Sequence, residues 1–196
     1  MRINRSSLWL ALVTVLLLAA LGYAWLETER SQSTQAQAAH RDAVQRHLSR
    51  VRGALEANLQ ADLQLARGMV SVITLEPDIT QTRFEAAAVP LLERRTQIRN
   101  IAGAPDMVIR LMTPMAGNEG ALGLDYRKHP TQHAAAEQAR LTRELVVAGP
   151  LALKQGGEGI VARLPVFLNT RTGETFWGLL SAVIDTEKLY RNSGLV

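Results

Sequence analysis

The chain has 196 residues, a formal net charge of +4 and no cysteine. This length allows one domain of ordinary size beside a terminal segment, and the lack of cysteine excludes a disulfide framework, a thiolate nucleophile and a cysteine-based metal site. Arg2 and Arg5 at the N-terminus supply half of the net charge. No basic cluster typical of a nucleic-acid interface follows, so we expect no nucleic-acid partner.

The first predicted element is an uncharged apolar segment, residues 8–26. At ~1.5 Å per residue it is about 28 Å long as a helix, close to the hydrocarbon thickness of a bilayer, which predicts a transmembrane helix. Arginines precede the segment whereas Glu27 and Glu29 follow it, so the positive-inside rule places residues 1–7 in the cytoplasm. We therefore expect a single-pass inner-membrane protein with residues 27–196 in the periplasm. A cleaved signal peptide is the alternative, but the apolar run exceeds the usual ~7–15 residues.

A long helix is predicted for residues 27–76, where the sequence contains no proline. Apolar residues recur there every three or four positions, and Val44, Leu48, Val51 and Leu55 form a stripe that fits pairing with a second copy of the helix. An ordinary amphipathic helix that packs on its own domain gives the same pattern. Homodimerisation through this stripe and packing within one chain are therefore alternatives, and beyond Leu55 the average spacing near ~3.6 favours packing within one chain.

Residues 77–196 are predicted to form one α+β domain with a mostly antiparallel sheet. Thr80 or Thr82 caps its first helix, Pro130 suits the first turn of the second, and glycines near Glu158 permit a hairpin turn. The predicted helices span 82–98, 130–143 and 185–192, a loop spans 102–106, and the predicted strands span 107–115, 121–126, 145–147, 160–167 and 175–184.

No catalytic or metal-binding arrangement is recognisable in the sequence. None of the four histidines is near a glycine-framed serine nucleophile, so we expect no enzyme. His129, His133 and Glu137 recur at helical spacing, but Pro130 places His129 at the helix cap and three ligands in line along one helix cannot surround an ion. We therefore expect neither a metal nor a cofactor.

Three blocks of sequence carry a family resemblance: LGLDYR at 122–127, AGPLALKQGGEGIVARLPVF at 148–167 and FWGLLSAVID at 176–185. Together they closely resemble the CHASE sensory domain, especially the bacterial form found ahead of diguanylate cyclases and histidine kinases. The resemblance implies a PAS-like ligand-binding domain outside the membrane that signals through helices to a cytoplasmic catalytic module. Plant cytokinin receptors of this family hold a purine with a carboxylate. Ala116 occupies the matching position here and Glu119 is the nearest acid, so that specificity is not carried over.

Binding of a small molecule is the function class that the residues favour. A ligand pocket is typically apolar with a few convergent polar groups, and an arginine fork suits a carboxylate or phosphate while a tyrosine stacks and donates. The expected ligand is therefore small, polar and partly charged. Each candidate also has a structural alternative, such as capping a turn or filling the core. The candidates are Arg110, Asp125, Tyr126, Arg127, Gln155, Arg163 and Trp177.

Two functions remain open at the level of sequence. The first is the ligand-sensing exodomain of a transmembrane receptor whose output domain, a diguanylate cyclase or histidine kinase, is not in this chain. The second is a membrane-anchored periplasmic protein-interaction module without a small-molecule ligand. Because the chain ends soon after SAVIDTEKLYRNSGL without a second apolar segment, we expect a fragment of a longer receptor rather than a stand-alone module.

Overall fold

The computed structural model describes residues 5–93, 97–153, 156–171 and 173–196, and the side chains of 5–14, 24, 26–36 and 38 lie outside the described set. The chain divides into two units, Met1–Arg50 and Val51–Val196. The helices are α1 (Arg5–Leu75), α2 (Gln81–Leu92), α3 (His133–Thr142) and α4 (Thr186–Asn192). The strands are β1 (Ile98–Pro105), β2 (Leu111–Thr113), β3 (Val146–Ala152), β4 (Glu158–Thr170) and β5 (Gly173–Asp185).

The first unit consists of the part of α1 before residue 51. Val44 and Leu48 are exposed there, at 45% and 58%. Among the residues that the structure describes, no helix is long and apolar enough to cross a membrane. Part of the predicted span 8–26 has side chains outside the described set. That span therefore stays a prediction.

The second unit is built on a 5-stranded sheet in the order β2-β1-β5-β4-β3. All neighbouring strands are antiparallel, and the long β4–β5 hairpin is closed by pairing of Thr170 with Gly173. Gly178 of β5 lies opposite Pro105 with φ +151°, and a Cβ there would collide with the β1 backbone. Glycine therefore allows the two strands to approach at this point.

One face of the sheet packs against α1 and α2. Leu63, Ala66, Met69 and Ile73 of α1 recur at helical spacing and are buried, and Phe84 of α2 is fully buried with them. Thr80 caps α2 by accepting a hydrogen bond from the Arg83 N–H, as predicted. The side chains that complete this core from the sheet are Ile98, Ile101, Leu111, Ala162, Leu164, Val166, Leu180, Ala182 and Ile184. This half of the domain is a closed hydrophobic core.

The opposite face of the sheet is covered by α3 and by the segment between β2 and α3. Two short 3-10 turns, Glu119–Ala121 and Tyr126–Lys128, lie in that segment. Ala136 and Ala139 of α3 are buried against Leu179 and Ala104 of the sheet. The covering layer is thin and irregular, which leaves room for a cavity on this side.

Some sequence predictions in the first half of the domain are wrong. The predicted helix 82–98 ends at Leu92, and the predicted loop 102–106 lies mostly in β1. Small residues make this strand possible: a Cβ at Gly103 would stand 3.0 Å from Leu111 and 3.4 Å from Phe84. The Ala-Gly-Ala-Pro sequence is typical of a loop, but here it forms a strand because only small residues leave room for Leu111 and Phe84 to pack against it.

The predicted strands 107–115 and 121–126 also differ from the structure. Only Leu111–Thr113 forms a strand, because the chain turns at Asp106 and Met107 with φ of 48° and 64°. Val108 and Asp125 contribute an isolated bridge, and residues 121–126 otherwise belong to turns. Apolar residues in these segments, such as Ile109 and Leu124, suggested strands from the sequence, but they line the wall of a cavity instead.

The second half of the domain agrees with the sequence prediction. The strands predicted for 145–147, 160–167 and 175–184 are the longer strands β3, β4 and β5. The helix α3 begins at His133 rather than at Pro130. The C-terminal helix α4 is present, and the Asp185 carboxylate caps it at 2.9 Å from the Lys188 N–H.

Candidate functional site

A cavity of about 340 Å³ lies between the sheet and the layer formed by α3 and the segment before it. Its wall is mainly apolar and includes Ile109, Met112, Leu124, Leu151, Val161 and Val183. Six polar side chains also reach it: Asn100, Tyr126, His129, Thr131, Gln132 and Ser181. An apolar wall with a few convergent polar groups is typical of a small-molecule site.

Strand periodicity decides which side chains form the floor of the cavity. Ser181 of β5 pairs with Ala102 of β1 on one side and with Arg163 of β4 on the other. Side chains two residues apart point to the same face, so Asn100 and Val183 join this row. A single register therefore places a serine and an arginine side by side on the buried face opposite α1.

Tyr126 closes the cavity from above the floor. It is 2% exposed, and its hydroxyl oxygen lies 2.9 Å from the Ser181 Oγ. Burial raises the pKa of Tyr126, against the opposing effects of the Ser181 hydrogen bond and the nearby Arg163. The phenol is therefore neutral and available as a hydrogen-bond donor or acceptor.

Asp125 and Arg127 fix the turn that presents Tyr126. The Asp125 carboxylate accepts the Arg127 N–H at 3.0 Å and the Arg127 Nε–H at 2.8 Å. This pairing with Arg127 lowers the pKa of Asp125. Arg127 also reaches Asp106 at 3.3 Å. These three charges hold the backbone of the turn from outside the cavity.

Arg163 is fully buried at 0% exposure, directly behind the cavity wall. Its Nη2 donates to the Gln132 Oε1 at 2.8 Å, and its guanidinium carbon lies 5.5 Å from the centre of the Tyr126 ring. The Nε and Nη1 atoms have no hydrogen-bond partner among the described residues. Burial lowers the pKa of Arg163, and Tyr126 opposes this effect. A guanidinium in this position remains a cation and has donor groups to spare.

Asn100 ties the covering segment to the sheet. Its side chain is 1% exposed and donates to the Asn118 Oδ1 at 2.8 Å, while Asn118 donates to the Pro114 carbonyl oxygen at 2.9 Å. The segment that forms the roof of the cavity is thus held by a buried amide pair rather than by apolar packing alone.

The CHASE domain family model matches residues 57–195, which is most of the chain. The chain belongs to the CHASE domain family. CHASE domains are extracytoplasmic sensory domains, so the chain carries a sensing module of that kind. No curated protein matches the sequence.

A solved structure is similar to this CHASE domain in fold, and a second one aligns with it more weakly. An extracellular ligand binding receptor from Desulfohalobium retbaense DSM5692 aligns with a TM-score of 0.62 and 16% identity, over 74% of this chain and 26% of the receptor. The ligand-binding domain of the Pseudomonas aeruginosa PAO1 amino acid chemoreceptor PctC, in complex with GABA, aligns with a TM-score of 0.48 and 20% identity, over 73% of this chain and 64% of that one. The chain thus spans about a quarter of the length of the first receptor, and its fold is similar to that part of it.

The CHASE domain brings together two of the residues that the sequence proposed as ligand contacts. Tyr126 lines the cavity, and Arg163 lies beside it against Gln132. Asp125 supports Tyr126 through the turn without lining the cavity. Sequence reasoning missed Asn100, Gln132 and Ser181. The available signal was a lone polar residue inside an apolar strand, as at Ser181 in LLSAVI.

The other proposed contacts lie elsewhere. Arg110 and Arg127 are exposed and do not line the cavity. Trp177 packs with the core on the α1 side, and its Nε1–H donates to the Pro77 carbonyl oxygen at 2.9 Å. Gln155 lies outside the described residues. Within the described part of the chain, no cluster of three or more histidine and acidic side chains is placed to hold a metal ion.

The proposed dimer stripe is divided between the two units. Val44 and Leu48 are exposed in the first unit. Val51 is half-buried in the second unit, and Leu55 packs against the hydrophobic core of its own domain. Of these four residues, Val44 and Leu48 are thus the two that leave most apolar surface free for a second helix.

Proposed function

We propose that this CHASE domain binds a small, partly charged molecule in the cavity beside Tyr126 and reports its presence to a cytoplasmic output module. The observation that carries the proposal is the cavity itself, in which an apolar wall surrounds a few buried polar groups. At a packing density of ~0.74, about 340 Å³ accommodates a molecule of roughly 250 Å³. That is the size of a small metabolite rather than a peptide.

The contacts between β5 and α4 supply a physical route for the signal. Ser181, which touches Tyr126, lies on β5, and β5 ends at the cap of α4. Just after α4, the Ser193 Oγ accepts a hydrogen bond from Asn58 of α1 at 3.1 Å. Asp62 of α1 is buried and accepts the Gln97 N–H at 3.3 Å. Asp185 at the end of β5 donates its N–H to the Gln97 carbonyl oxygen at 2.9 Å, so both polar contacts connect β5 to α1. A shift of β5 on ligand binding therefore acts on α1 through them.

A cavity-filling substitution tests the ligand site. Ala121 lines the cavity, whereas Ala116 lies exposed in the same segment. The full chain, purified in a mild detergent, is screened by thermal unfolding against amino acids, organic acids, purines and polyamines. A compound at ~100 times its dissociation constant adds about 2.7 kcal/mol, or roughly 5–11 °C for a unit of this size.

The matched pair of variants decides the outcome. Ala121→Trp should abolish the thermal shift and Ala116→Trp should preserve it, because only the first side chain enters the cavity. If no compound shifts the wild-type protein, or if the shift survives Ala121→Trp, the cavity is not the sensing site.

The membrane anchor and the output module are also part of the proposal. We propose that residues 8–26 cross the inner membrane once and that the output is a diguanylate cyclase or histidine kinase outside this chain. Alkaline phosphatase fused after Val196 should be active, because the positive-inside rule places that end in the periplasm. Inactive phosphatase together with a fluorescent cytoplasmic reporter at the same position would overturn this topology.

A second candidate function, a protein-interaction module, is favoured by the exposed apolar pair Val44 and Leu48. If α1 pairs with another copy there, single cysteines at these positions should crosslink between chains in the membrane. Cysteines at Arg46 and Arg50 are the matched controls, since both residues are also exposed. Equal crosslinking at all four positions would mean that the helix does not pair along this stripe.

A further inference from the structure

We infer that the ligand of the cavity is a monocarboxylate with an apolar body, that Arg163 receives its carboxylate, and that Gln132 occupies the anion position until the ligand arrives. This inference rests on the proposed ligand-binding function and narrows it to one chemical class. It also makes Gln132 a gate between the cavity and the buried cation.

The first observation is an uncompensated buried charge. Arg163 is 0% exposed, its Nη2 bonds a neutral amide, and its Nε and Nη1 have no partner within the described part of the chain. A buried cation normally has an anionic partner, because removing it from water is costly. The described part of the domain therefore contains a buried cation without a carboxylate of its own to pair with it.

The second observation is the identity of the one group that Arg163 does contact. The Gln132 Oε1 accepts from Nη2 at 2.8 Å, and Gln132 also lines the cavity. A guanidinium binds a carboxylate with two hydrogen bonds along one of two edges, formed by Nη2 with Nε or by Nη2 with Nη1. Both edges therefore include Nη2. A carboxylate that replaces the Gln132 oxygen thus meets Nη2 and one of the two unpartnered nitrogens. Two hydrogen bonds between a guanidinium and a carboxylate are stronger than the single hydrogen bond to the uncharged Gln132 amide that they displace.

The third observation is the composition of the wall. No acidic side chain lines the cavity within the described residues, so a ligand ammonium group has no counter-charge there. Leu124, Leu151 and Val161 instead offer apolar contact for the rest of the molecule. These features favour a monocarboxylate over a zwitterionic amino acid, and an inorganic anion would leave most of the cavity unfilled.

The experiment compares ligands that share one carbon skeleton. Calorimetric titration of the full chain in mild detergent uses sodium pentanoate, pentanamide, norvaline and sodium chloride, and straight-chain monocarboxylates from propanoate to tetradecanoate extend the series up to the size of the cavity. Pentanoate or a neighbour in the series should bind. The matched amide and the matched amino acid should bind at least ten-fold more weakly, and chloride should not compete.

Substitutions then separate the two roles. Arg163→Gln should abolish carboxylate binding, and Arg163→Lys, which keeps the charge but loses the fork, should weaken it at least ten-fold. Gln132→Ala should tighten binding several-fold, because the competing oxygen is removed. Circular dichroism confirms that each variant is folded.

Several results would overturn the inference. They are an affinity for norvaline or pentanamide equal to that for the acid, saturation of Arg163 by chloride alone, weaker binding after Gln132→Ala, or no binding by any acid in the series. If a different compound class binds, and Ala121→Trp abolishes that binding while Arg163→Gln does not, the ligand site stands and only its assignment to carboxylates falls.

Discussion

Replacing Arg163 with methionine should stabilise the ligand-free domain. The substitution removes a buried cation, whose effective burial penalty is several kcal/mol, and two buried donors without partners, at ~1–3 kcal/mol each. Against this, it loses a charged hydrogen bond to Gln132 worth ~1.5–3 kcal/mol and a cation–π contact with Tyr126 worth ~0.5–2 kcal/mol. The unpartnered donors belong to the same buried guanidinium, so their cost is part of the burial penalty and is counted once. Several kcal/mol gained against ~2–5 kcal/mol lost leaves an expected net gain of about 1–3 kcal/mol in the free energy of unfolding.

Thermal and urea unfolding of the full chain, followed by circular dichroism, measure this gain. It corresponds to a rise in Tm of roughly 2–12 °C for a unit of this size. Arg140→Met is the matched control, because Arg140 is 40% exposed and paired with Glu137 at the surface, where an ion pair contributes little to stability. A fall in Tm for Arg163→Met larger than that of the control would refute the claim that the Arg163 charge is uncompensated. A gain in stability would mean that the Arg163 charge does not contribute to folding, which leaves ligand binding as its proposed role.

Three further predictions concern stability. Gly178→Ala should destabilise the domain by roughly 2–5 kcal/mol in urea unfolding, because the new Cβ meets the β1 backbone, whereas Gly123→Ala, also at positive φ but in open space, should cost only about 1 kcal/mol. Tyr126→Phe should cost about 0.5–1.5 kcal/mol in the same assay through the loss of one buried hydrogen bond, and a neutral result would mean that the hydroxyl is not bonded in the folded state. The pKa of Asp125 is lowered in the folded state, so its ion pair stabilises the fold above the ordinary carboxyl pKa. This contribution is lost as the pH falls through the pKa of the folded state. On acidification below about pH 4, Asp125→Asn should therefore lose less stability than the wild type.

The sequence was sufficient to predict those parts of the fold where local preference and tertiary packing agree. The strands β4 and β5 are rich in β-branched and large apolar residues, and both were located. The strand β1 was missed because its centre, Ala102 to Ala104, consists of small residues whose role is to let Leu111 and Phe84 approach. That reason exists only in three dimensions.

The candidate site shows the same division. Tyr126 and Arg163 were proposed because an aromatic hydroxyl and a guanidinium in an apolar strand context indicate binding. Ser181 and Asn100 were not proposed, because their position at the cavity depends on the register of β1 against β5. Gln132 has no sequence signal at all. Its position follows from how α3 starts over the end of the Arg163 side chain.

The hydrogen bond from Trp177 to the Pro77 carbonyl joins the sheet to the point where α1 has just ended. Trp177 is the one tryptophan after residue 25 in the sequence. With the two earlier tryptophans replaced by phenylalanine, the indole becomes a built-in fluorophore at the junction between strand and helix. Its emission wavelength then follows the polarity of that junction in real time, so stopped-flow mixing can resolve whether the sheet moves against α1 during ligand binding or after it.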